Sequence, residues 1–192
     1  MGLDMYLNRA PRYRGITPEQ IKKLNGYFDW IKRKESNDME YSLYDWCHVR
    51  EEELPSEDCI AFYRKYYACR YSYWDDEQKY GFDRIDEDVG YWHGANQIHN
   101  WFVENIQHGE DNCLPYEVSK TKLYELLDLC YEVLENMDLA DDLLPTVNGC
   151  FFDSTEHDEW YMKYLRETIK ILEQVLKETN FDTHMIVYRA SW

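Results

Sequence analysis

A chain of 192 residues with 44% hydrophobic content is long and apolar enough to bury the core of one domain. No apolar run approaches the length of a membrane span. The net charge of −17 disfavours nucleic acid and anionic lipid as direct partners.

That charge is uneven. Residues 1–34 hold eight Lys or Arg against three acids, a net of +5, whereas residues 35–192 hold thirteen against 35, a net of −22. The opening MGLDMYL has neither the basic region nor the apolar stretch of a secretory signal. Tyr6 stands where a myristoylation site has Ser or Thr. The six cysteines form no C-x-x-C pair, which suits reduced thiols in a cytoplasmic protein.

Along the chain, Leu3, Met5 and Leu7 alternate with Asp4, Tyr6 and Asn8, which predicts a strand. A basic loop, RAPRYRG, follows. Thr17, Pro18 and Gln20 then spell the start of a helix with a capping box, and Ile21, Leu24, Phe28 and Ile31 give it an apolar stripe. Residues 35–55 are acidic and weakly patterned, with room for one short strand between 36 and 49. Ser56 caps a second predicted helix through Trp74, on which Ile60, Tyr63, Tyr67 and Arg70 share one line. Residues 75–90 read as an acidic loop.

In YWHGANQIHNWFVENIQH, Trp92, Ala95, His99, Phe102 and Ile106 recur at spacings of 3, 4, 3 and 4, which predicts one helical face. Pro115 and Ser119 introduce a helix with a wide stripe through Leu123, Leu127 and Cys130. The longest helix carries Tyr161, Leu165, Thr168, Leu172 and Val175 inward, with Asp153, Ser154 or Thr155 as its cap. The closing HMIVYRASW alternates as a strand. The expected fold is therefore α+β, mainly α: about five helices on a small sheet that pairs the N-terminal and C-terminal strands. It is read as a single domain over 1–192, with 35–90 as an acidic, aromatic-rich elaboration.

Three stretches together carry a resemblance: MGLDMYL at the start, the YWxxANQIHNWFV block at 91–103, and FFDSTEHDEWY with the closing YRASW. They resemble a family of uncharacterised bacteriophage and prophage proteins. The resemblance implies a phage or mobile-element setting, in a host bacterial cytoplasm, and carries no catalytic roles with it.

Chemistry is sparse. His93, His99, His108 and Cys113 lie 6, 9 and 5 residues apart and match no zinc pattern. No phosphate loop, nucleophile elbow or H-E-x-x-H is present. No enzyme, metal or cofactor is expected. A polar pocket of Trp92, Asn96, His99, Asp153 and His157 is the candidate small site. Partner-binding candidates are the acids Glu51, Glu52, Glu53, Asp75, Asp76, Asp86 and Asp88, with Tyr63, Tyr67, Arg70 and Trp74 as anchors between them. These predict an interaction protein that binds a basic, nucleic-acid-handling host protein, in the manner of an anti-CRISPR-like or nucleic-acid-mimic inhibitor. The alternatives are a nucleotide-sequestering protein, from the aromatics beside Arg64, Arg70 and the basic loop, and a metal-dependent hydrolase.

Overall fold

The computed structural model describes residues 2–36, 54–74, 79–147 and 156–192. In chain order the elements are β1 (Asp4–Pro11), α1 (Pro18–Ser36), α2 (Glu57–Arg64), β2 (Ala68–Trp74), β3 (Lys79–Arg84), β4 (Glu87–His93), α3 (Asn96–Asn105), β5 (Tyr116–Val118), α4 (Lys120–Glu135), α5 (Ala140–Leu143), α6 (Glu159–Glu178) and β6 (His184–Ser191). The fold is α+β and mainly α, and the described helices include none long and apolar enough to cross a membrane. Contacts divide the chain into two compact units, Met1–Arg9 with Val89–Trp192, and Ala10–Asp88.

The first unit is built on a four-stranded sheet of order β4-β1-β6-β5. The terminal strands β1 and β6 lie side by side, as their alternating sequences predict. β5 runs antiparallel to β6, with Tyr116 opposite Tyr188 and Val118 opposite Ile186. Leu3, just before β1, Met5 and Leu7 of β1, and Ile186, Tyr188 and Ala190 of β6 enter one buried cluster with residues of α3, α4 and α6. Trp92, Phe102, Leu127, Cys130, Leu165 and Leu172 belong to it as expected, while Val187 is buried outside it. Tyr188 stacks on Phe102 at 3.9 Å between ring centres.

Several polar groups inside this core are paired. The Trp92 indole N–H donates to Thr168 Oγ1 (2.9 Å), and the Thr168 hydroxyl donates to the Tyr164 carbonyl (2.7 Å). Asn96 exchanges two hydrogen bonds with the backbone of Val147, at 2.6 and 2.8 Å. One turn on, Asn100 donates to the Pro145 carbonyl (3.2 Å), so two asparagines on one face of α3 hold this segment.

A glycine sets how closely α6 approaches the sheet. A Cβ built on Gly90 would sit 2.6 Å from Ile171 Cγ2 and 3.3 Å from Leu7 Cβ. Gly90→Ala is therefore expected to cost about 1–3 kcal/mol by overpacking, read as a lower urea midpoint. An unchanged midpoint would mean that Ile171 moves aside freely.

The second unit packs Ile21, Leu24 and Phe28 of α1 with Cys59 and Tyr63 of α2 and Ile85. The capping box of α1 is present: Gln20 N–H donates to Thr17 Oγ1 (3.2 Å) and Thr17 N–H to Gln20 Oε1 (3.1 Å). Ser56 caps α2. β2 and β3 form a separate antiparallel pair, Ala68 opposite Arg84 through Trp74 opposite Lys79, with a bulge between Cys69 and Tyr71.

Four sequence expectations are corrected. The second helix stops at Arg64, and the stretch expected to continue it through Trp74 is instead strand β2. Residues 79–84 and 87–90, expected as loop, belong to strands β3 and β4. Trp92 lies on β4, not α3, because Gly94 turns the chain at φ 78° before the helix begins at Asn96. The cap of α6 is Asp158, whose carboxylate accepts the N–H groups of Trp160 and Tyr161, in place of Asp153, Ser154 or Thr155. The strand sought at 36–49 falls almost entirely outside the described residues, and so do Asp153, Ser154 and Thr155.

Candidate functional site

The predicted partner-binding residues separate on inspection. Glu51, Glu52, Glu53, Asp75 and Asp76 lie outside the described residues. Arg70 and Trp74 belong to β2. Tyr63 is a core residue: its hydroxyl donates to the Pro11 carbonyl (2.6 Å) and accepts from the Tyr13 N–H (3.2 Å). Burial drives its ionisation far above the ordinary phenol range. Tyr67 is half-buried against Phe28, with ring centres 5.3 Å apart.

Asp86 and Asp88 are claimed by Arg84. The guanidinium reaches Asp86 Oδ2 at 2.5 Å and Asp88 Oδ1 at 3.1 Å, and Asn25 adds a hydrogen bond to Asp86 at 2.7 Å. Burial pulls the Arg84 guanidinium down, but the two carboxylates outweigh it and hold the group above its ordinary value. Asp86 is a buried structural acid that the sequence run DRIDEDVG does not distinguish from a solvated one.

The predicted polar pocket also disperses into separate contacts. Trp92 and Asn96 are engaged as described above. His99 is buried, with Nδ1 2.7 Å from the Tyr188 hydroxyl and Nε2 3.1 Å from Asp111 Oδ1. Burial raises Tyr188 well above the ordinary phenol value, so its hydroxyl keeps its proton and donates to Nδ1. The Nε2–H then donates to Asp111, which fixes one neutral tautomer. His157 lies against the Tyr161 ring (4.7 Å), with Nε2 3.5 Å from Asp141 Oδ1. Among the described residues no three His, Cys, Asp or Glu side chains group to hold a metal ion.

What the chain does assemble is a cavity of about 470 Å³ in the first unit, lined by His93, Gly94, Gln97, Glu156, Asp158, Trp160, Tyr161 and Tyr164. That volume falls in the range of about 300–1,000 Å³ typical of ligand sites. Trp160 is 57% exposed, more than any other large hydrophobic side chain among the described residues. A second groove shares His93, Trp160 and Tyr164 and runs along Tyr91, Lys163, Glu167 and Lys170.

Its polar character follows from its contacts. Asp4 Oδ1 accepts from the Tyr91 hydroxyl (2.6 Å) and lies 3.0 Å from His93 Nδ1. Burial pushes the Asp4 carboxyl up, but these hydrogen bonds and the nearby imidazole outweigh it, leaving the acid below its ordinary value. An ionised Asp4 accepts only, so Nδ1 carries a proton, and in the neutral ring Nε2 is an acceptor. Gln97, 2% exposed, donates through Nε2 to the Tyr161 carbonyl (3.2 Å), which turns its Oε1 acceptor away from that carbonyl. Glu156 and Asp158 bring two carboxylates, and neither Lys nor Arg lines this cavity. The Tyr161 hydroxyl spends its proton on the Leu144 carbonyl (2.9 Å). The wall is thus rich in acceptors and aromatic faces.

Sequence reasoning groups His157 with Asp153 and with the adjoining Asp158, and passes over Glu156 and Trp160 beside them. The acids set directly beside aromatics in EHDEWY are the available signal. Compared with known proteins, the chain matches no family model, no curated protein and no solved structure.

Proposed function

We propose that the protein is an accessory interaction protein from a bacteriophage or prophage, acting in the host cytoplasm, that binds a basic, nucleic-acid-handling host protein and inhibits it as an anti-defence factor. The observation that carries the partner class is the acceptor-rich cavity beside the exposed Trp160. It belongs to a chain whose residues 35–192 bear a net charge of −22. Both features favour a cationic protein surface over an anion. The resemblance of MGLDMYL, YWxxANQIHNWFV and YRASW to phage and prophage proteins supports the setting. In a nucleic-acid mimic the charge would come from the runs at 51–58 and 75–77, since Asp86 and Asp88 are held by Arg84.

The test is capture of a basic host protein, followed by reversal of Glu51, Glu52, Asp75 and Asp76 to lysine. Asp86 and Asp88 are left alone, because reversing them would break the second unit. The variant should bind the captured protein about tenfold or more weakly, and the parent's association rate should fall with added salt. Equal binding by parent and variant, at low and high salt alike, would reduce these acids to a solvated surface.

A further inference from the structure

We infer that the cavity formed by the end of β4, the start of α3 and the start of α6 receives an arginine side chain of the basic partner. The inference rests on the proposed function for the class of partner, and adds the place and the chemical group through which that partner is read.

The match is one of complementary inventories. A guanidinium offers five N–H donors in a plane and no acceptor. The cavity is lined by four side chains that can accept hydrogen bonds, those of His93, Gln97, Glu156 and Asp158, with no Lys or Arg among its lining residues to repel a cation. These acceptors come from three separate elements, so they face a ligand from different directions. A forked donor set suits that arrangement better than the point charge of an ammonium. Trp160, Tyr161 and Tyr164 provide aromatic surface, on which a weakly hydrated guanidinium stacks. The indole already attracts a cation within the chain itself: Lys163 Nζ lies 4.5 Å from the centre of the Trp160 ring. An anion would meet two carboxylates here and find few free donors.

The experiment titrates the full chain with a blocked Gly-Arg-Gly peptide and with its citrulline counterpart, which keeps the shape and loses the charge. The readouts are the nuclear magnetic resonance signals of the Trp160 indole N–H, assigned with Trp160→Phe, and of the Gln97 side-chain amide. The arginine peptide should shift both signals to saturation, and the citrulline peptide should bind about tenfold more weakly. The double variant Glu156→Gln, Asp158→Asn should lose a similar factor while melting as the parent does, because asparagine caps α6 as well as aspartate. Equal binding of the two peptides overturns the assignment. So does unchanged binding by the double variant, the absence of any shift, or the same signals moved by a nucleotide instead. If the captured host protein binds the double variant as it binds the parent, the cavity assignment falls and the basic-partner reading stands.

Discussion

His99→Leu should lower stability by about 2–3 kcal/mol in urea denaturation, because the buried Tyr188 hydroxyl loses its acceptor. Tyr188→Phe in the same background should recover part of that loss, since two apolar partners leave no orphaned group. The pair also has a pH signature. Burial outweighs the pull of Asp111 and holds folded His99 below its ordinary value of 6.5. As pH falls, the unfolded chain therefore takes up its proton first, and folding loses stability. That contribution is complete above about pH 6.5 and declines below it until the folded imidazole also protonates. The gap in stability between parent and His99→Leu should accordingly narrow from pH 7.5 towards pH 5. A constant gap over that range would show that the ring is not held neutral.

Arg84→Ala should be the more damaging substitution, at about 3–5 kcal/mol, because it strands the buried carboxylate of Asp86 without its cation. Arg84→Lys should fall between variant and parent: an ammonium keeps the charge and cannot serve Asp86 and Asp88 from two sides. The measurement is chemical denaturation followed by tryptophan fluorescence. A loss under about 1 kcal/mol for Arg84→Ala would place the bridge among solvent-screened surface pairs. The outcome also bears on function, since acids held in this way are not available to imitate a row of phosphates.

Local signals were legible wherever one residue has one reason to be where it is. Thr17 with Gln20, Ser56 and Ser119 each cap the helix that they announce. The alternation of Leu3, Met5 and Leu7 has no helical reading. The stretch after Arg64 was ambiguous because Tyr63, Tyr67 and Arg70 satisfy a helical spacing, while ACRYSYW also carries the aromatics that favour strands. Trp92 misled for a similar reason: its spacing to Ala95 and His99 is helical, but the left-handed turn at Gly94 intervenes. The cavity was not legible because tertiary packing brings residues 93–97 together with residues 156–164. No spacing rule links them.

The sheet order has a consequence for how the chain is made. β6 sits between β1 and β5, so the last of the described strands to be synthesised is an inner one. A nascent chain carries β1 with one edge unpaired, and β5 with no strand partner, until residues 184–191 have been released. Pairing residues 4–11 with 184–191 also closes the longest loop between any two described strands, a slow step that local contacts cannot speed. The exposed edge and its apolar row of Leu3, Met5 and Leu7 make the interval before completion the one in which the protein is most open to aggregation and to chaperones.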